Sequence, residues 1–149
     1  MNTLGAFILS LALAAGGVSP VADAAMEGDA AAVRTLLKQG SDVNAAQGDG
    51  MTALHWAAMK NDAALAQVLL YAGANVRATT RINGYTPLIL ASQYGNAEVI
   101  DLLLKAGADA RAASTTGSTP LMLAAASGSV AAVKQIGRAS CRERVCQYV

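Results

Sequence analysis

One nine-residue pattern recurs three times along the chain at an almost constant spacing. The copies read GMTALHWAA from Gly50, GYTPLILAS from Gly84 and GSTPLMLAA from Gly117, so their starts are 34 and then 33 residues apart. An apolar stretch that ends in glycine follows each of the first two copies, and a similar stretch, AAVRTLLKQGSDVN, precedes the first. Such a period is typical of a repeat architecture, in which stacked units bury the apolar surface between them.

Each copy of the pattern carries the signals that begin and end short helices. A threonine fits the N-cap position, and in two copies the next residue is a proline, whose fixed φ suits the first helical position. Residues that tolerate left-handed backbone fall where helices should end. The predicted caps are Thr52, Thr86 and Thr119, followed by Ala53, Pro87 and Pro120; the predicted ends are Gly28, Asn61, Gly95 and Gly128 for first helices and Gly40, Gly73 and Gly107 for second helices.

The period and the threonine, proline or alanine, leucine motif resemble the ankyrin repeat, whose units consist of a hairpin-like turn and two antiparallel helices. The resemblance covers about Ser19 to Gln135. It implies an all-α fold, an ankyrin-repeat solenoid of stacked helix-turn-helix units joined by hairpin-like loops. The expected units are residues 19–48, 49–82, 83–115 and a truncated 116–135.

An apolar segment, Leu4–Val18, precedes the repeats. It is too short for a stable membrane span and has the length of a signal-peptide core. We therefore expect residues 1–17 to be a signal peptide, and the protein to be exported to the periplasm or secreted. Because Met1–Thr3 contain no Lys or Arg, a mistaken start codon or a cytoplasmic apolar helix remains an alternative.

Two small-x-small sites for signal cleavage are present, after Ala14 and after Ala24. Ser19 and Pro20 form a helix-start signal, and the helix that they begin would complete the first unit. We therefore favour cleavage between residues 14 and 17, which keeps this helix.

The C-terminal run Ile136–Val145, IGRASCRERV, departs from the repeat. After Gln135 the pattern requires a leucine pair and a glycine, so we expect the last helix to break off there. The codons ATC GGA AGA GCG TCG TGT AGG GAA AGA GTG encode this run, and that DNA resembles a common short-read sequencing adapter. We therefore interpret residues 136–149 as a non-native tail, and expect the truncated array to expose an apolar end and to fray from it.

Composition excludes several classes of function. The formal net charge is +1, and becomes −1 without the tail, so the chain lacks the basic field of a nucleic-acid-binding protein. Aromatic residues make up 4% of the chain, too few for a base-stacking platform. Cys141 and Cys146, both in the tail, have neither zinc-knuckle nor CxxC spacing. We expect no metal, no cofactor and no nucleic-acid partner.

The residues that could do acid-base chemistry have structural interpretations. His55 is the only histidine, and in the repeat that this sequence resembles a histidine at that place makes hydrogen bonds around the turn. Asp42, Asn75 and Asp109 share one loop position, where Asx side chains satisfy turn backbone. No nucleophile elbow, phosphate loop or HExxH helix is present, so we predict no catalytic residues.

In the ankyrin family the turn tips and the exposed face of the first helices line a concave binding surface. The resemblance places Met26, Glu27, Trp56, Met59, Lys60, Gln93 and Tyr94 on the helices, and Gln47, Asp49, Met51, Arg81, Asn83, Tyr85, Thr116 and Ser118 at the tips. Methionine and aromatic side chains are frequent interface contacts, although single exposed apolar residues are also ordinary surface.

The sequence is compatible with three classes of function. The leading hypothesis is a noncatalytic, monomeric module that binds another protein through this surface. The alternative is the N-terminal targeting or substrate-positioning part of a longer enzyme or anchored protein. Enzymatic repeats rank last, because a solenoid with one structural histidine offers no convergent titratable groups.

Overall fold

The computed structural model describes residues 19–145, and within them the regular secondary structure is entirely helical. The helices follow one another as four antiparallel pairs, which confirms the all-α repeat solenoid expected from the sequence. They are α1 Pro20–Glu27, α2 Ala30–Lys38, α3 Ala53–Lys60, α4 Ala63–Tyr71, α5 Pro87–Gln93, α6 Ala97–Lys105, α7 Pro120–Ala126 and α8 Val130–Val145.

The helices begin where side-chain oxygens can accept from the free N–H groups of the first turn. Thr86 Oγ1 accepts from the backbone N–H three residues later at 3.2 Å, and Thr119 Oγ1 does so at 3.4 Å. The second helices use aspartate in the same way, since Asp29 and Asp62 each accept at 2.9 Å. Ser19 holds the N-cap position of α1, but its Oγ is buried without a hydrogen bond.

Successive first helices stack face to face, in the order α1, α3, α5, α7. The small residues Ala57, Ala58, Ala91 and Ser92 are fully buried in this stack, which allows the helix backbones to approach closely. The second helices pack behind them and fill the core with large aliphatic side chains, each of which stabilises the fold by roughly 1.5–3 kcal/mol when buried. They include Leu65, Leu69, Val99, Ile100 and Leu103.

The hairpin-like loops are joined to one another by backbone hydrogen bonds. The Arg81 N–H donates to the Asp49 carbonyl at 2.8 Å, and the Thr115 N–H donates to the Asn83 carbonyl at 2.9 Å. Gly50 makes the first of these contacts possible, because its φ is +87° and a Cβ there would lie 2.7 Å from the Arg81 nitrogen. The hairpins therefore form a continuous edge along one side of the array.

The last helix corrects one expectation from the sequence. We expected it to break off at Gln135, but α8 continues to Val145. Ile136 occupies the place of Leu69 and Leu103 in the earlier units, and its side chain is fully buried in the core. Ser140 stands where those units have a glycine with positive φ, so nothing ends the helix there and it runs on.

The sequence predicts a signal peptide at residues 1–17 and its cleavage between residues 14 and 17. Both predictions lie outside the residues that the structure describes. Among residues 19–145, no helix combines the length and the apolar character that crossing a membrane would require.

The burial of Ile136 generates a stability prediction. We expect Ile136→Ala to lower the free energy of unfolding by about 2–5 kcal/mol, because it removes a fully buried aliphatic side chain. Arg142→Ala, at an exposed position of the same helix, should change it by less than about 0.5 kcal/mol. Urea denaturation followed by circular dichroism measures both. Equal stability of the two variants would show that the residues after Gln135 do not pack on the array.

Candidate functional site

The predicted surface residues fall into two rows, one along the hairpin tips and one along the C-terminal ends of the first helices. Tyr94 is the most exposed aromatic side chain of the helix row, with 54% of its area accessible. The other exposed members of the two rows are Met26, Glu27, Asp49, Lys60, Arg81, Asn83, Gln93 and Thr116, and the half-buried ones are Gln47, Trp56, Met59, Tyr85 and Ser118.

Met51 differs from the other predicted tip residues. Its side chain is buried, whereas we expected it at the hairpin surface. Its backbone carbonyl accepts from the Gln47 N–H at 2.9 Å, and its own N–H donates to Asp49 Oδ1 at 2.9 Å. Met51 therefore closes the hairpin, and its side chain packs inward instead of being available to a partner.

A row of hydrogen bonds joins the first two units at this surface. Trp56 Nε1 donates to Gln47 Oε1 at 2.8 Å, and Gln47 Nε2 donates to Asp23 Oδ1 at 2.6 Å. Since the amide of Gln47 is engaged at both ends, Trp56 and Asp23 are held in fixed positions on α3 and α1. This part of the surface is pre-organised, which lowers the entropy lost when a partner binds.

Three further bonds, from the side chains of Lys60 and Asn96, hold the C-terminal ends of the first helices. Lys60 Nζ donates to the Met26 carbonyl across the first junction between units. Asn96 Nδ2 donates to the Ala58 carbonyl at 2.7 Å and to the Met59 carbonyl at 3.2 Å across the second. These bonds satisfy the free carbonyls of the helix ends and fix the spacing between neighbouring units.

Ile82 is an exposed tip residue that sequence reasoning missed. Its side chain is 68% accessible, and it lies between Arg81 and Asn83 in the second hairpin. That hairpin is one residue longer than the other two. The repeat period of 34 residues, against 33 for the next repeat, was the signal for this extra residue in the sequence. An extra residue in a tight loop is pushed outward.

His55 joins two units through its ring. Nδ1 accepts from the Thr52 N–H at 3.1 Å and lies 2.8 Å from Thr52 Oγ1, while Nε2 lies 3.0 Å from the Tyr85 carbonyl of the next unit. A carbonyl oxygen can only accept, so the proton is assigned to Nε2. This geometry agrees with the interpretation that His55 makes hydrogen bonds around the turn. It also shows that the ring bonds to the Tyr85 carbonyl of the next unit.

Burial favours the neutral form of His55. Desolvation lowers the pKa of the imidazole from its ordinary value of 6.5, and the carbonyls of Tyr85 and Ala78 and the Asp49 carboxylate act more weakly in the opposite direction. Both ring nitrogens are occupied by structural partners. The ring therefore has no free nitrogen with which to take a proton from a substrate.

The Asx side chains at the shared loop position have local roles. Asp42, Asn75 and Asp109 each accept from a backbone N–H two residues later, at 2.8–2.9 Å. Residues 19–145 contain no group of three or more His, Cys, Asp or Glu side chains that could hold a metal ion. The site therefore consists of two rows of exposed side chains, of different shapes, on a rigid array of helices.

Comparison with known families identifies the helical array that carries these side chains. A family model described as ankyrin repeats (3 copies) matches residues 61–142, and a second, described as ankyrin repeats (many copies), matches residues 21–70. The chain belongs to the ankyrin repeat family. Ankyrin repeats are in general protein-protein interaction modules and typically noncatalytic. No curated protein sequence matches the chain.

The lowered pKa of His55 predicts how the stability of the ankyrin array depends on pH. The unfolded chain takes up the proton at a higher pH than the folded chain does, so stability must fall as the pH drops through the unfolded value. Above about pH 7.5, the contribution of His55 to the free energy of unfolding should be constant. Below the ordinary imidazole pKa of about 6.5 this contribution should decrease, until the pH falls below the pKa of His55 in the folded chain.

The matched variant for this prediction is His55→Gln, which does not titrate. It should be less stable than the parent at pH 7.5 by about 1–3 kcal/mol, because the buried bonds to Thr52 and Tyr85 are lost or distorted. Urea titrations at several pH values measure both curves. The chain has one histidine. If the curves of stability against pH for parent and variant run parallel between pH 7.5 and 5, the pKa of His55 is not lowered in the folded chain.

Proposed function

We propose that this ankyrin array binds one protein partner through its hairpin tips and the exposed ends of its first helices, without catalysing a reaction. The observation that carries the proposal is the exposure of large apolar side chains on both rows: Ile82 at a tip, Met26 on α1 and Tyr94 at the C-cap of α5. Polar and charged residues surround them, which is the usual composition of a non-obligate interface.

The rigidity of this surface also supports the proposal that it binds a partner. Gln47, Lys60 and Asn96 join neighbouring units at this surface, so the exposed side chains hold constant distances from one another. A preformed surface loses little conformational entropy on association. We further propose, on the apolar segment Leu4–Val18 alone, that the module acts after export.

Site-specific photo-crosslinking would identify the partner and test the surface together. A photoreactive phenylalanine analogue replaces Tyr94 in one variant and Tyr71 in the other, and the crosslinked proteins from the native cell are identified by mass spectrometry. Tyr71 is the matched control because it is 84% exposed but lies at the end of α4, a second helix. We expect one protein to crosslink from position 94 and not from position 71.

The affinity of the purified partner then gives the quantitative test. We expect Tyr94→Ser to weaken binding by at least about tenfold, since exposed aromatic anchors contribute strongly to interfaces. Tyr71→Ser should leave the dissociation constant within about twofold. Binding that tolerates the change at Tyr94 but is lost with the change at Tyr71 would move the interface to the second helices and overturn the proposal.

A further inference from the structure

The hairpin between α4 and α5 contains an asparagine that is followed directly by a glycine, Asn83–Gly84. No other asparagine of the chain precedes a glycine. Asparagine is a thermolabile residue, because the backbone nitrogen of the next residue can attack its side-chain amide. Glycine permits this attack best, since it has no Cβ to obstruct the approach and has the widest conformational freedom. The sequence of this hairpin is therefore open to modification without an enzyme.

The backbone N–H of the hairpin glycine is held in two of the three hairpins. The Gly50 N–H donates to the Gln47 carbonyl and the Gly117 N–H donates to the Ser114 carbonyl, each at 2.9 Å. Gly84 is the corresponding glycine of the second hairpin, and its N–H donates to no backbone carbonyl in the part of the chain that the structure describes. The extra residue of this hairpin explains the difference, because it lengthens the loop that the glycine N–H would have to close.

The amide that would be attacked is accessible to solvent. Asn83 is exposed, and its φ of +66° places it in the left-handed region, next to Gly84 at +62°. The side-chain bonds of this hairpin come from Thr80, whose Oγ1 donates to the Ile82 carbonyl at 2.6 Å and accepts from the Tyr85 N–H at 3.0 Å. These bonds hold the base of the hairpin and leave the Asn83 amide in water.

Asp49–Gly50 in the first hairpin is the natural comparison, since an aspartate before glycine can form the same cyclic imide. Here both reacting groups are engaged. Asp49 Oδ1 accepts from the Met51 N–H at 2.9 Å, and the Gly50 N–H is bonded to the Gln47 carbonyl. The structure therefore protects one of these two dipeptides and leaves the other open.

We propose that Asn83 deamidates spontaneously in the folded protein. A base from the solvent removes the proton of the Gly84 nitrogen, which forms a bond to Asn83 Cγ. The Cγ–Nδ2 bond breaks, and the amide nitrogen takes up a proton and leaves as ammonia. Water then opens the cyclic imide at one carbonyl or the other, which gives aspartate or isoaspartate. The reaction needs no oxidant, reductant or enzyme.

Both products change the edge that the hairpins form. A carboxylate replaces a neutral amide two residues after Arg81. The Asn83 carbonyl also accepts from the Thr115 N–H at 2.9 Å. Aspartate keeps that carbonyl in the main chain, whereas isoaspartate carries the main chain through Cβ and Cγ and displaces the carbonyl. Isoaspartate should therefore disturb the junction between the third and fourth units. This chemistry does not depend on whether the hairpin tips bind a partner.

The test compares the purified full chain in its folded state and in guanidinium chloride, at about pH 8, where an ordinary histidine is neutral. Peptide mass spectrometry measures the loss of amide at each asparagine over time, and electron-based fragmentation distinguishes isoaspartate from aspartate. We expect Asn83 to deamidate in the folded chain at a rate within about tenfold of its rate in the unfolded chain. The other asparagines of the repeats should keep their amides over that period; they are Asn44, Asn61, Asn75 and Asn96.

Asn83→Gly is the matched variant, because glycine accepts the positive φ and carries no amide. It should abolish the ammonia that the folded chain releases. Asp49 supplies the second comparison, since its isoaspartate should form at least about tenfold more slowly in the folded chain than in the unfolded chain.

The proposal is overturned if Asn83 keeps its amide in the folded chain while the unfolded chain loses it, or if another asparagine reacts first. Undiminished ammonia release from the Asn83→Gly variant would also overturn it. Equal rates at Asp49 in the folded and unfolded chains would show that the bond to the glycine N–H gives no protection, and would remove the structural reason for the reactivity of Asn83.

Discussion

The face-to-face contact between successive first helices is the interaction on which the rest of this structure depends. A pair of seven- to nine-residue helices has too little interior to stay folded alone. The stack supplies the missing burial, because the side of α1, α3 and α5 that would face water is covered by the first helix of the next unit. Alanine and serine at the contact positions keep the helix backbones close, and that closeness brings the hairpins within hydrogen-bonding distance of one another.

The spacing set by the stack is then fixed by polar bonds between the units. Backbone bonds join neighbouring hairpins, such as the one from Arg81 to Asp49. The amide of Asn96 bridges to the helix end of the unit before it, and the ring of His55 bridges to the unit after it. Each of these bonds requires the helices to be in place first, since a displacement of one ångström would break it. Packing thus determines the geometry, and the polar bonds make it specific.

Local signals in the sequence were enough to predict most helix boundaries. Thr86 and Thr119 cap their helices as expected, and Gly28, Asn61 and Gly107 have the positive φ that ends a helix. These features depend on a residue and its close neighbours. The length of α8 was missed because the expectation treated the absence of leucine and glycine as the end of the helix. Ile136 replaces the leucine adequately, and the absent glycine lengthens the helix.

The candidate surface was less predictable than the fold. The register of the repeat gave the rows on which Tyr94 and Arg81 lie, but not how far each side chain is exposed. Met51 turns inward, and Gln47 is held between Trp56 and Asp23. The position of Gln47 depends on Asp23, which is 24 residues away in the chain, so no local pattern contains it.

The junctions between units are chemically unequal, and this inequality follows from one position of the repeat. His55, Ile89 and Met122 are in register. At the second junction the histidine adds a directed bond to Tyr85, at the cost of burying a titratable ring. At the third, Ile89 contributes only apolar contact, and the hairpins rely on the bond from Thr115 to Asn83. Because the pKa of His55 is lowered, we expect acidification to weaken the array at the second junction, beside Tyr85 and the long hairpin that carries Ile82, and not at the third, where Ile89 does not titrate.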